Sequence, residues 1–528
     1  MSWFSSRDAG RSGDPRNVRP STPNWVVDRA ERAQNAGKWV SALYVNDADK
    51  ITGLLDTIVE ALDHEAQNSH TATSQLEGSV EALEAIIDFL MAHAPECDLE
   101  LINGVTKCMK DCLSNQVSDV SVLRRMKKRI KQIRTLFLNQ VNLRWRALFL
   151  PYKASMWTSL ESIWKAAHAD SRCDTVVMPI PYFELDDRLR PASIRYEGSD
   201  FPREVPIVPF SSFSEAQEYE MIFFHNPYDD LNTITRVPEV FFSRNLTKRT
   251  KCLVYSPYFT FGRYFPGKGD HLFNAQGLVH ADIILVQSER VKKIFQRFGH
   301  PSRKLLVVGS PKTDAIVAML DGGYEVPNAW KEKVRGRKVF LLNTHLYYFH
   351  KTGARGMREH TEIVETFLER DDCSLIWRPH PLLHTLLSKT SHEFTVFYRN
   401  MCKLLASSGN CLVDTTTDYR LAFSCSNAMI STYSSLVNEY MVTGKPVLIF
   451  QRKPDSTTAQ HFPLDYSGNY YRYGDQPLTY KEFIDMVVLG KDPLKDRRMK
   501  AVRSGFANIN GTAGQEAYRA VVNEILPK

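Results

Sequence analysis

Nine short, unbroken apolar runs recur along residues 175–450, and they constrain the fold more than any other feature of the chain. The first series is TVVMPI (175–180), MIFFHN (221–226), CLVYSP (252–257), DIILVQS (282–288) and LLVVGS (305–310). The second is KVFLLNT (338–344), SLIWRP (374–379), AMIST (428–432) and PVLIF (446–450). Runs rich in Val, Ile and Phe without polar alternation suit strands covered on both faces, as in a parallel sheet. Helical stretches separate them, so the expected class is α/β. Between the series, DGGYEVPNAWKEKVRGRK (321–338) carries Gly322, Gly323, Pro327 and Gly336 and reads as a linker. The expectation is two Rossmann-like domains, 171–330 and 331–528, with an inter-domain cleft. Ligands of such sheets bind beyond the carboxyl ends of the strands. A chain of 528 residues accommodates both domains and one more unit.

Upstream, residues 1–45 are rich in Ser, Arg, Asp, Gly and Pro and read as a flexible arm with one short helix near Val26 to Ala36. Residues 46–170 have helical period. Ile51, Leu55, Ile58 and Leu62 form one stripe, Leu76, Val80, Leu83, Ile87 and Leu90 a second, and Leu123, Met126, Ile130, Ile133 and Phe137 a third. This predicts a helical hairpin or bundle that packs on itself or contacts a partner chain or a second copy. Its last helix is basic (Arg124, Arg125, Lys127, Lys128, Arg129, Lys131, Arg134), with Arg144, Trp145, Arg146, Phe149 and Leu150 beyond. Segment 122–150 therefore reads either as a solvated helix face or as an amphipathic contact with an anionic inner leaflet. No motif of a nucleic-acid-binding fold accompanies the charge, so no nucleic-acid partner is expected.

Composition excludes several classes. Apolar residues make up 43% and charged residues 24%, with a net charge of +7, as in an ordinary globular protein. No run approaches the roughly 20 apolar residues of a membrane span, and the amino terminus lacks a signal-peptide core. The nine cysteines are irregularly spaced without a Cys-x-x-Cys pair, which argues against zinc and for reduced thiols. The expected location is cytoplasmic, with peripheral contact at the inner membrane face left open. Asp47-Ala48-Asp49 stands just before a helical stretch and reads as a helix cap rather than a metal-binding pair. No cofactor and no essential metal are expected.

Two segments carry chemistry. CSNAMISTYSSLVNEYMVTGKPVLIF (425–450) reads as strand, turn Thr432-Tyr433-Ser434-Ser435, helix, Gly444 stop and second strand. Amides and hydroxyls at such a turn favour an anion, although Ser434 could equally serve as a simple helix cap. WRPHPLL (377–383) places Arg378 and His380 just after a strand, in a loop stiffened by two prolines.

A Pro-His-Pro strand end followed about fifty residues later by Tyr-Ser-Ser, helix, Lys-Pro and strand resembles the CDP-glycerol glycerophosphotransferase family, over roughly residues 175–460. LLVVGSPKTDAI (305–316) is similar to its Gly-x-Pro-(Arg/Lys)-x-Asp segment. The resemblance implies a GT-B fold and a transferase that builds teichoic-acid-type polymers. It places His380, Ser434 and Ser435 at the donor phosphates and Glu439 at the donor ribose; Arg378, Lys312 and Thr344 are further candidates for the donor phosphates, the two cations because they could meet the charge on the leaving nucleotide. Thr432 and Asn427 stand where the family usually has Asp, and Asn343-Thr344-His345 replaces a Pro-Thr-Trp/Phe-Arg segment. The family's Trp-His-Gly-Thr base segment is absent, and VYSPYFTFG (254–262), with Tyr255 and Tyr258, stands near its place. Candidate bases are then His225, favoured because it ends a strand near Asp229, and His271 or His280. His225 and His380 are the expected catalytic pair.

The expected function is transfer of a phosphopolyol unit from a CDP-linked donor to a polymeric or lipid-linked acceptor in cell-surface polymer synthesis. One alternative is a GT-B nucleotide-sugar glycosyltransferase. The other is a degenerate, non-catalytic transferase core that binds a partner through its helical arm.

Overall fold

The computed structural model describes residues 42–527 apart from 68–72, 116–118, 215, 263, 265, 268, 323, 433, 451–469 and 473–477. The expected arm and its short helix, up to Ser41, lie outside the described residues, as does Tyr433. The chain divides into two compact units, Met1–Ala42 with Ile58–Asn142 and Leu43–Thr57 with Leu143–Lys528.

The described part of the first unit is helical. It contains the later part of α1 (Val45–Gln67), then α2 (Thr73–His93), α3 (Glu100–Ser114) and α4 (Val120–Gln140). The apolar stripes are buried as their period requires, with Ile86 rather than Ile87 taking the inward position in α2. Asp119 caps α4 by accepting the Ser121 amide. Lys127 lies 2.6 Å from Asp63, whereas Arg124, Arg125, Lys128, Arg129 and Lys131 are exposed.

The helical region ends at Gln140 instead of running to 170, and this corrects the expected boundary. Asn142–Leu150 is β1, next to the edge of the first sheet. Its parallel neighbours give the order β2 (Cys173–Val177), β1, β3 (Tyr219–Phe224), β4 (Thr250–Tyr255), β5 (Ile283–Val286), β6 (Leu305–Val307). Trp145 and Phe149 are fully buried. Arg146 meets the buried Glu220 at 3.1 Å, and Arg144 meets Asp174 at 2.7 Å. Residues 142–150 therefore cannot form a membrane-facing surface, which removes that half of the expected inner-leaflet segment.

The second sheet is also parallel, in the order β9 (Cys411–Val413), β8 (Cys373–Pro379), β7 (Lys338–Thr344), β10 (Ala428–Ser431), β11 (Val447–Ile449), β12 (Tyr471–Arg472). The described residues thus form a mixed α/β architecture with two parallel sheets, with a helical region before it. A further correction concerns the chain's end. Helix Ala513–Ile525 buries Ala517, Val521 and Ile525 in the core of the first sheet, and Tyr518 accepts the Trp145 indole N–H at 2.9 Å. The last helix therefore belongs to the first α/β layer and not to the second.

Helix α5 (Pro311–Gly322) shows what the Gly-Ser-Pro-Lys-Thr-Asp segment does. Gly309 has φ +91°, and a Cβ there would lie 2.2 Å from the Ala507 carbonyl oxygen. Asp314 accepts the amides of Ala513 at 3.1 Å and Gly514 at 2.7 Å, holding the start of the returning helix.

Candidate functional site

In each sheet the direction of strand order reverses at one place, and a crevice opens there beyond the carboxyl ends. In the second sheet the reversal lies at β7, between β8 and β10. Asn343 is in register with Arg378 on one side and Ser431 on the other, and Thr344 with Pro379. The segments expected to carry chemistry are thereby brought side by side.

Asn343 is the hub. Its side-chain amide donates to Ser434 Oγ at 3.0 Å and Ser431 Oγ at 2.8 Å. Ser434 stands at the N-cap position of helix α6 (Ser435–Met441), yet its hydroxyl makes no capping bond to the helix. The simple-cap reading therefore fails. Thr432 accepts the His345 amide at 2.8 Å, so the residue standing in place of the usual Asp positions His345. The His345 and His380 rings lie 6.4 Å apart, centre to centre. His345 Nδ1 accepts the Tyr347 amide at 3.3 Å and His380 Nδ1 the Leu382 amide at 3.1 Å. In both neutral rings the proton consequently sits on Nε2, and each offers an N–H donor. Burial, and then the neighbouring His345, Lys153 and Arg378, push His380 down to about 4, and burial also lowers His345.

Other expected site residues are placed differently. Thr344 is fully buried, and its hydroxyl accepts the Trp377 indole N–H and meets His360 at 3.2 Å, so it faces the core. Arg378 is buried in an ion pair with Asp414 and braces the strand end. Lys312 and Glu439 are bonded to each other, 3.4 Å apart and both buried, with Thr158 accepting from Lys312 at 3.1 Å and Tyr419 beneath it. Glu439 is closed to a ribose in this arrangement. Asn427 exchanges bonds with the backbone of Val339 at the opposite end of the strands. The Ser435 carbonyl accepts from Thr260, and a Cβ on Gly262 would lie 2.0 Å from the Asn438 amide, so the 254–262 segment abuts α6.

The candidate base His225 is sealed. It is fully buried, its Nε2 accepts the Tyr152 amide at 3.1 Å, and its Nδ1 meets Ser159 Oγ at 2.9 Å. Burial and the charge of Lys312 hold it down to about 3. No lone pair is left to take a proton from a substrate. Asp229 does not orient it. That carboxylate accepts from Ser243, whose hydroxyl meets His280 Nδ1 at 2.7 Å. His271 is exposed on a short helix. Tyr255 is buried and raised well above its ordinary value, and Tyr258 is raised too, so neither is a base near neutral pH. Asp47 lies in the first turn of α1, and Asp49 pairs with Lys251. No cluster with metal-ligand character occurs among the described residues, nor is any described helix long and apolar enough to cross a membrane.

Sequence reasoning missed Asn343 and His345 as site members because they were read only as departures from a family pattern. It also missed Lys153, which follows a strand that was read as part of a helical region.

The family profile described as CDP-Glycerol:Poly(glycerophosphate) glycerophosphotransferase matches residues 274–523. The minor teichoic acid biosynthesis protein GgaB of Bacillus subtilis (strain 168) is 22% identical over 162 residues, 30% of this chain. The match covers only 16% of that relative's length. Among solved structures, the wall teichoic acid polymerase TagF gives a TM-score of 0.47 at 15% identity, covering 72% of this chain and 88% of that one. UDP-GlcNAc 2-epimerase from Neisseria meningitidis, bound to UDP-GlcNAc, gives 0.44 at 12% identity, covering 72% and 100%.

Proposed function

We infer that this chain, whose residues 274–523 belong to the CDP-glycerol:poly(glycerophosphate) glycerophosphotransferase family, transfers a phosphopolyol from a nucleoside diphosphate-linked donor to a hydroxyl of a polymeric or lipid-linked acceptor. The observation that carries the reading is the meeting of Asn343, His345, His380 and Ser434 at the reversal point of the second sheet. The cluster presents N–H and O–H donors with no carboxylate among its members, which suits the phosphates of such a donor. Two imidazoles held neutral can donate without carrying charge, and a bound phosphate would draw their proton affinity upward.

In the reaction, the acceptor oxygen attacks the phosphorus that bears the polyol. The bond from that phosphorus to the bridging oxygen breaks, and the nucleoside monophosphate departs with the electron pair. Donors fixed around the departing phosphate stabilise its charge, and closure around it excludes water. With His225 sealed, the acceptor proton goes to a group other than that histidine, or to solvent.

The test is release of nucleoside monophosphate by the purified full chain from CDP-, UDP- and GDP-linked donors, with teichoic-acid-type acceptors. CMP release from CDP-glycerol is expected. Ser434→Ala with Ser435→Ala should abolish donor binding while leaving the melting temperature within a few degrees. Unchanged nucleotide affinity in that double variant would sink the phosphate-site reading. Donor binding without release from any donor would instead favour a binding protein built on a transferase frame.

A further inference from the structure

The crevice of the first sheet opens at β1 and β3, and Lys153 stands there, three residues beyond the end of β1. The side chain is nine-tenths buried. Its ammonium lies 4.6 Å from the centre of the Tyr182 ring and 5.7 Å from that of Tyr152. Two carboxylates act on it from a distance, but both are engaged elsewhere. Glu197 accepts the Tyr182 hydroxyl at 2.6 Å and the Ala154 amide at 2.9 Å. Glu184 accepts from Ser193 at 2.8 Å and pairs with Arg195 at 3.2 Å. Among the described residues no carboxylate comes within ion-pair distance of Lys153, and burial lowers the proton affinity of its amine.

A largely buried lysine short of a counter-charge is costly, and an anion supplied by a ligand offsets that cost. Lys153 stands beyond the carboxyl end of β1 and His380 beyond that of β8, Thr260 of the first layer meets α6 of the second, and Lys153 is among the charges that lower His380. The first layer thus turns a cation toward the cleft, where the second offers two imidazole N–H donors.

We propose that Lys153 is a ligand of the donor's polyol-bearing phosphate, which it grips from the first α/β layer while His345 and His380 hold it from the second. This rests on the donor reading above. It adds the group that ties the transferred phosphate to the acceptor side of the cleft. The nucleoside-bearing phosphate would be held by the second layer alone. Lys153 therefore separates diphosphate-linked donors from nucleoside monophosphates, and favours release of the monophosphate once the polyol phosphate has left.

The experiment is isothermal titration of the full chain with CDP-glycerol and, separately, with CMP, for wild type, Lys153→Met and Lys153→Arg. Methionine keeps an apolar stem over Tyr182 and removes a buried charge, so its unliganded melting temperature should match or exceed that of wild type. Affinity for CDP-glycerol should fall about tenfold or more in Lys153→Met, the usual scale for losing a charge-assisted bond. Affinity for CMP should stay within about twofold, and Lys153→Arg should recover most of the loss. Equal weakening of both ligands, or no change in either, overturns the assignment while the donor reading stands. If wild type binds neither ligand, the donor reading itself fails, and the assignment falls with it.

Discussion

Histidine 225 shows how one residue changes meaning between sequence and structure. A histidine at a strand end near an aspartate reads as a base, yet both its nitrogens are engaged inside the core. Its role is structural, and the consequence can be measured. In the folded chain it takes a proton only near pH 3, whereas the unfolded chain takes one near 6.5. Between those values the unfolded state holds more protons, so stability is complete above about pH 6.5 and falls as the pH drops toward 3. His360, held down to about 3, and His380, at about 4, act in the same direction. Asp229, Asp314 and Glu439, all raised by burial, act in the opposite one. A variant isolates the contribution of His225. His225→Leu should lose about 1–3 kcal/mol at pH 7, because the Tyr152 amide loses its acceptor. It should also lose less than wild type on going from pH 7 to pH 5, and it should keep its donor affinity. Urea unfolding at the two pH values decides the matter, and equal losses would show that His225 does not titrate as described.

At the scale of elements, the regular parts of the second sheet were plain in the sequence and those of the first less so. KVFLLNT, SLIWRP and AMIST are nearly unbroken apolar runs, and each became a strand that is buried apart from Lys338 at its start. NLRWRALFL was hidden because its arginines continue the basic character of α4. The period nevertheless changes there from helical to two, with Trp145, Ala147 and Phe149 on one face. The arginines tolerate the sheet because Glu220 and Asp174 meet them, and no local pattern announces partners 74 and 30 residues away. The Gly-Ser-Pro-Lys-Thr-Asp segment was recognised, but its role was not, since Gly309 and Asp314 act on residues 507–514. Asp314→Ala should free two buried amides and cost about 1–3 kcal/mol. Its signature would be faster amide hydrogen exchange across residues 513–525, with the strands of the second sheet unaffected. Uniform loss of protection throughout the chain would contradict a local clasp.

At the scale of the whole molecule, legibility fails where two distant segments meet. Lys312 and Glu439 were each assigned to a ligand on the strength of a motif, one to phosphate and the other to ribose. In the folded chain Lys312, on the helix that follows the last strand of the first sheet, and Glu439, on a helix of the second, bond to one another, beside Arg420, which reaches to Glu161 at 2.9 Å. Burial raises the Glu439 carboxyl, and the charge of Lys312 restrains that rise. Removing the lysine should let it rise further. A carboxyl whose folded proton affinity exceeds its unfolded one favours the folded state at low pH, and that advantage disappears as the pH climbs through the raised value. Lys312→Met should therefore cost more stability at pH 7, where a lone buried carboxylate must either ionise or take up a proton, than at pH 4.5. Glu439→Gln in the same chain should recover part of the loss at pH 7, because an amide of nearly equal size carries no charge to compensate. Thermal unfolding of the two single variants and the double variant at both pH values closes the cycle. A loss of the same size at pH 7 and pH 4.5, with no recovery in the double variant, would mean that Lys312 holds the layers together by packing over Tyr419 and Thr158 rather than by its charge.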